Sequence, residues 1–197
     1  IDTNPEDYSL TSQWYSAQSG QFSATRVFGV YEDLLGNEWI LSDNGLGMLT
    51  AGQTTPTSYF VDAAEREKKG GQAFYSCLEY NSEIYFGSDN GRVWCYQKEN
   101  GQFQLQNLPA SSRIVSINSV EGNELIFTTA KDGFFSYQPK TKAIEHFPAS
   151  RFPNASIHSV YVDKASEVWF EQHIPGTVVH FNPRTRILKQ EKVPVEP

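Results

Sequence analysis

Hydrophobic and polar residues alternate in short runs along most of this chain, and each run ends in a cluster of Gly, Asn, Asp, Ser or Lys. A two-residue period bounded by turn formers predicts strands. The runs cover 27–32, 38–42, 46–50 and 57–61, then 74–80, 83–88, 92–97 and 102–108. They continue over 114–120, 124–130, 134–138 and 143–147, and end with 157–163, 167–172, 177–182 and 187–192. A helical period is sustained nowhere. The exception is 62–69, a charged and Ala-containing stretch that suits a short surface helix in a loop.

The turns repeat. Asp43-Asn44-Gly45 recurs as Asp89-Asn90-Gly91, as Lys131-Asp132-Gly133 and, more loosely, as Ile174-Pro175-Gly176, with glycines 46, 42 and 43 residues apart. Asn-Gly and Asp-Gly supply the positive φ that tight hairpins require. Trp39, Tyr85, Ile126 and Trp169 keep the same spacing ahead of these turns. Four strands in about 43 residues is the size of one propeller blade. The chain is therefore expected to be all-β, one domain over 1–197, with four-stranded antiparallel blades at 27–61, 74–108, 114–147 and 157–192.

The head echoes a later unit: Gln13-Trp14-Tyr15-Ser16 before Gly20-Gln21-Phe22-Ser23 resembles Val93-Trp94-Cys95-Tyr96 before Gly101-Gln102-Phe103-Gln104. This adds half a blade at 11–24. Four and a half blades is a partial propeller, because the Pro-rich tail 193–197 is too short to complete the half blade. The expectation is an arc of a larger propeller. Its partners are the rest of that propeller and, through exposed blade edges, a second copy of itself.

The run Val30-Tyr31-Glu32-Asp33-Leu34-Leu35-Gly36-Asn37-Glu38-Trp39-Ile40-Leu41-Ser42-Asp43-Asn44-Gly45-Leu46 resembles the two-component regulator propeller repeat, and Ile84-Tyr85-Phe86-Gly87-Ser88-Asp89-Asn90-Gly91 resembles its core. The third and fourth units, with Phe127-Thr128-Thr129 and Trp169-Phe170-Glu171, lack the Gly of that repeat. The resemblance implies the periplasmic sensor part of a membrane-bound histidine kinase, often a hybrid with response-regulator and DNA-binding parts. It further implies a sensor of oligosaccharides that switches on polysaccharide-degradation genes. No kinase, membrane or DNA-binding segment is read in these residues.

Composition narrows the partners. With 16 Lys+Arg against 23 Asp+Glu the net charge is −7. Without a basic cluster, this argues against nucleic acid, which needs concentrated positive charge. No stretch approaches the ~20 apolar residues of a membrane span, so no membrane contact is expected, and a signal peptide is absent or already removed. The 27 aromatics (4 Trp, 10 Tyr, 13 Phe) are too many for a disordered chain. A single Met and few Leu/Ala-rich windows speak against a helical bundle.

With the strands of a blade named A to D, the B–C and D–A loops share one end of the molecule. Asp43, Asn44, Arg66, Asp89, Asn90 and Asp132 all fall in such loops and are the candidate ligand contacts. The plainer reading of the turn acids Asp33, Asp43, Asp89 and Asp132 is turn chemistry, since Asx side chains bond their own backbone. Trp39, Tyr85 and Trp169 are read as packing between blades before any sugar-stacking role. His146, His158, His173 and His180 lack a metal-ligand spacing. Cys77 and Cys95 lie two strands apart, roughly 9–10 Å, beyond the ~7 Å limit of a disulfide; two free thiols are expected. Asn154-Ala155-Ser156 is a glycosylation sequon, relevant only in a eukaryotic secretory setting. No cofactor, metal or catalytic group is expected. The alternatives are a propeller lyase or glycoside hydrolase, with an acid/base pair among Asp43, Asp89 and Asp132, and a protein-interaction scaffold.

Overall fold

The computed structural model describes residues 24–61, 73–154, 157–172 and 174–193, and the backbone of two short strands before them. Those are β1 (Asp2–Thr3) and β2 (Leu10–Thr11), which pair antiparallel. Apart from Thr11 and Ala24, the half blade expected over 11–24 lies outside the described residues, as does the helix considered over 62–69.

Four antiparallel four-stranded sheets follow, each in sequential order. The first holds β3 (Val27–Glu32), β4 (Glu38–Ser42), β5 (Gly45–Leu49) and β6 (Thr57–Tyr59). The second holds β7 (Phe74–Tyr80), β8 (Glu83–Ser88), β9 (Val93–Gln97) and β10 (Gln102–Gln106). The third holds β11 (Ile114–Val120), β12 (Glu124–Thr129), β13 (Phe134–Gln138) and β14 (Ala143–Phe147). The fourth holds β15 (Ser159–Val162), β16 (Val168–Glu171), β17 (Thr177–Asn182) and β18 (Ile187–Lys192). The described architecture is the all-β, partial propeller that the repeat predicts.

Strand ends differ from expectation where the backbone leaves the ladder. β6 stops at Tyr59 because Phe60 has φ of 61°. β15 begins at Ser159 because both Ser159 and the His158 amide oppose Glu171, leaving one residue too many for regular pairing.

The two-residue period explains why the middle strands read as almost continuous apolar runs. Ile84 and Phe86 face the first sheet, where they join Trp39, Leu41, Leu46 and Phe60. Tyr85 between them faces the third sheet, with Leu125, Phe127 and Phe135. Ile126 points the other way, into a core with Phe134, Phe170 and Phe181 between the third and fourth sheets. The B strands β8 and β12 are thus buried on both faces, while β4 and β16 at the two ends of the arc are fully buried on one face only. The core is a series of slabs between blades, and Trp39, fully buried, lies 4.9 Å from Phe86 and 4.8 Å from Tyr96 across the first slab. The D strand β14 is mostly exposed before its buried final Phe147, while A strands of successive blades lie side by side on the inner wall.

The B–C turns need glycine for two reasons. Gly45 and Gly133 have φ of 93° and 86°, and a Cβ there would sit 2.3 Å from the Tyr59 carbonyl oxygen or 2.1 Å from that of Phe147. The repeat keeps glycine because the D strand leaves the blade directly against that turn.

Candidate ligand-binding rim

The two ends of the blades are built differently. At the A–B/C–D end, charged groups brace one blade to the next. Asp33, 4% exposed, accepts from the Leu35 and Asn37 amides and from the Trp39 indole N–H at 3.0 Å. Burial works against its charge, but the donors of Trp39, Asn37 and Leu35 outweigh it and hold the carboxyl below the usual range. Asp163 and Trp169 repeat the pair at 2.9 Å in the fourth blade. Glu79 accepts from the Leu34 amide at 2.9 Å, from the Tyr31 hydroxyl and from the Lys98 ammonium, which also lies 3.7 Å from Asp33. Arg186 donates to Glu124 at 2.6 Å and to Glu145. A cleft of about 390 Å³ opens here, lined by Glu83, Lys98, Glu99, Lys140 and Lys142 among others. Of these, Lys98 is already held by Glu79 and Asp33.

At the B–C/D–A end, the sequence-named acids bind backbone. The carboxylate of Asp43 accepts from the amides of Thr25 and Arg26 at 3.0 and 3.1 Å, and from the Thr25 hydroxyl. That hydroxyl first, then the Arg26 amide, lowers its pKa. Asp132 does the same with the amides and hydroxyls of Ser111 and Ser112, at 2.8 to 3.0 Å. Those four donors overcome burial and leave its pKa lowered. These bonds are not the local Asx turns read from the sequence: they tie each B–C turn to the chain entering its own blade. Burial lifts Asp89 above the usual carboxylate range, against the pull of the amides of 89 and 90. The Asn44 amide donates to Ser42 Oγ, and the Ser88 hydroxyl donates to Asn90 Oδ1. Asp43, Asn44, Asp89, Asn90 and Asp132 therefore share one end but sit in separate turns. Arg66 and His173 lie outside the described residues.

The inner edge of this end carries a different set. The ladders of β3, β7 and β11 skip one residue, between 27 and 29, 74 and 76, and 114 and 116. The skipped residues are Phe28, Tyr75 and Val115, and His158 holds the matching place in the fourth blade. A bulge re-aims its side chain, and here the result is direct contact between blades: the Phe28 and Tyr75 rings stack at 4.3 Å. The Arg26 guanidinium lies 5.8 Å from the Phe28 ring centre, and that of Arg113 lies 4.7 Å from Tyr75. Both arginines are exposed, and both rings are half-buried. Sequence reasoning passed over this array. The signal was present in the period, since 28, 75, 115 and 158 occupy equivalent places, but nothing local marks them.

Trp39 and Tyr85 are interblade packing as expected, whereas Trp169, expected to pack likewise, is half-buried and stacked at 4.2 Å on His180 of its own blade. His180 Nε2 lies 2.7 Å from Glu167. Cys77 and Cys95 are free, and burial pushes both thiols up to about 12. No helix among the described residues is long and apolar enough to cross a membrane.

No protein-family model matches the chain, and no curated protein does. Solved structures do. A catalytically inactive virginiamycin B lyase from Staphylococcus aureus, with quinupristin, is 17% identical with a TM-score of 0.73, over 98% of this chain and 62% of that one. The extracellular domain of a protein described as a hybrid two-component system of B. thetaiotaomicron is 15% identical with a TM-score of 0.68, over 86% of this chain and 25% of that one. Another from the same organism, described as a one-component system, is 16% identical at 0.66, over 93% and 27%. The chain thus spans less than two thirds of each of these proteins, and the likeness is one of propeller fold.

Proposed function

We propose that these blades are part of the periplasmic sensor propeller of a two-component signalling receptor, and that they bind an oligosaccharide and signal to a kinase without catalysing a reaction. The observation that carries the reading is the stacked Phe28–Tyr75 pair on the inner rim. The half-exposed edges of the two rings offer apolar contact to the C–H groups of a sugar, and flanking polar groups set its orientation. Support comes also from the repeat text around Asp33, Trp39 and Gly45 and from the fold shared with extracellular domains of two-component systems. The acids Asp43 and Asp132, tied to backbone amides and hydroxyls, are poorly disposed to exchange protons with a substrate. Signalling requires that the ligand favour one receptor state over another, and a rim assembled from two blades responds to their relative placement.

Calorimetric titration of the protein carrying these blades with a panel of oligosaccharides tests the reading. Binding by a panel member that weakens strongly in the Tyr75→Ala protein is the expected result. Absence of heat across the panel, or unchanged binding in that variant, counts against it. Turnover of a panel member, lost in Asp43→Asn, Asp89→Asn or Asp132→Asn, favours a propeller enzyme instead.

A further inference from the structure

We infer that the rim selects an acidic oligosaccharide, one bearing carboxylate or sulfate groups; this rests on the sugar-binding reading above. The argument is one of unmatched charge. The chain carries −7 overall, yet the Phe28–Tyr75 stack has a guanidinium at each end. Among the described residues, Arg113 pairs with no carboxylate. Asp132 is bonded to Ser111 and Ser112, immediately before Arg113 in the chain, yet the guanidinium lies over Tyr75 instead. Arg26 is 3.8 Å from Asp43, but that carboxylate is already bonded to Thr25 and to the Arg26 amide, and the arginine side chain is 76% exposed. The contrast with the opposite end is direct: there Lys98, Arg184 and Arg186 each meet a glutamate.

A guanidinium over a ring keeps N–H donors free toward solvent, suited to bidentate contact with carboxylate or sulfate. Two such guanidinium groups separated by the half-exposed edges of two stacked rings match an alternation that an acidic sugar chain presents: apolar C–H groups with anionic groups beside them. The chain's net negative charge does not prevent this, since it is screened beyond about 8 Å at physiological ionic strength.

The test is titration with uronate-bearing and sulfate-bearing oligosaccharides, each beside its carboxyl-reduced or desulfated counterpart, and with neutral oligosaccharides. The expected result is that an acidic member binds about tenfold or more tightly than its neutral counterpart, and that binding weakens with added salt. Arg113→Gln should remove most of that preference, while Arg184→Gln, at the other end, should leave it unchanged. The two acid classes separate which group is read. Equal binding of an acid and its neutral counterpart overturns the inference and leaves the sugar-binding reading standing. So does a preference that survives Arg113→Gln in a protein with unchanged circular dichroism. Failure of every oligosaccharide, neutral ones included, overturns both.

Discussion

The two ends of the blades use charge in opposite ways. At the A–B/C–D end, Lys98 with Asp33 and Arg186 with Glu124 bridge neighbouring blades, and Asp33 also holds the Trp39 indole. At the B–C/D–A end, Asp43 and Asp132 hold backbone within their own blades, and the arginines rest on rings. Opposite charges closed on each other at a junction fix blade geometry and leave little to offer a ligand. Cations over aromatic rings are only partly compensated, and they leave the rim able to recognise something. The contrast predicts that substitutions at the first end cost stability, and that substitutions at the rim cost binding.

The largest effect should come from Trp39→Ala, which empties the first slab and strips Asp33 of a donor. About 3–5 kcal/mol should be lost in denaturant unfolding. A loss under 1 kcal/mol would mean that the Asp33–Trp39 pair does not organise that end. Glu124→Ala leaves Arg186 without its buried partner, with only the exposed Glu145 still accepting from it; because Arg186 is partly exposed, the cost should be about 2 kcal/mol. Replacing both Glu124 and Arg186 by Met should recover part of it. If the double variant is weaker than either single one, the pair acts through more than its mutual charge.

At the other end, Asp132→Asn should cost about 1–2 kcal/mol at neutral pH, since four donors lose a charged acceptor. The Asp132 pKa is lowered in the folded state, so its contribution is present above the unfolded value near 3.9 and disappears as pH falls through the folded value. The gap between parent and variant should therefore close on acidification from pH 7 to 3. A constant gap would show that the carboxylate charge is not what ties the turn to Ser111 and Ser112. The smallest stability change, under about 0.5 kcal/mol, is expected for Arg113→Gln, because its side chain is exposed. Cys77 and Cys95, with thiols near 12, should resist a thiolate-seeking reagent at pH 8 and react once the chain is unfolded.

Most of the blade anatomy was legible in the sequence. The Asp-Asn-Gly turns, the alternation in 84–86 and the spacing of Trp39, Tyr85 and Trp169 each express a local rule, either a φ sign or a two-residue period. Even Asp33 was rightly read as a turn acid, since its amide donors lie within four residues. Asp43 and Asp132 were not fully legible. Their partners lie 17 to 21 residues earlier, where the chain enters the blade, and no local pattern names them. The rim was less legible still. Phe28 and Tyr75 are ordinary strand aromatics until a bulge turns them inward and the neighbouring blade brings them together.

The sequence by itself determined the strands, the turns, the blade period and the arc of four blades, because backbone dihedral preference and alternating burial act over a few residues. Only the tertiary structure decided which carboxylates are bound to backbone, which cations are matched and which rings meet. Those outcomes depend on contacts between segments far apart in the chain: 17 to 21 residues within a blade for the carboxylates, and about forty or more, across neighbouring blades, for the rings.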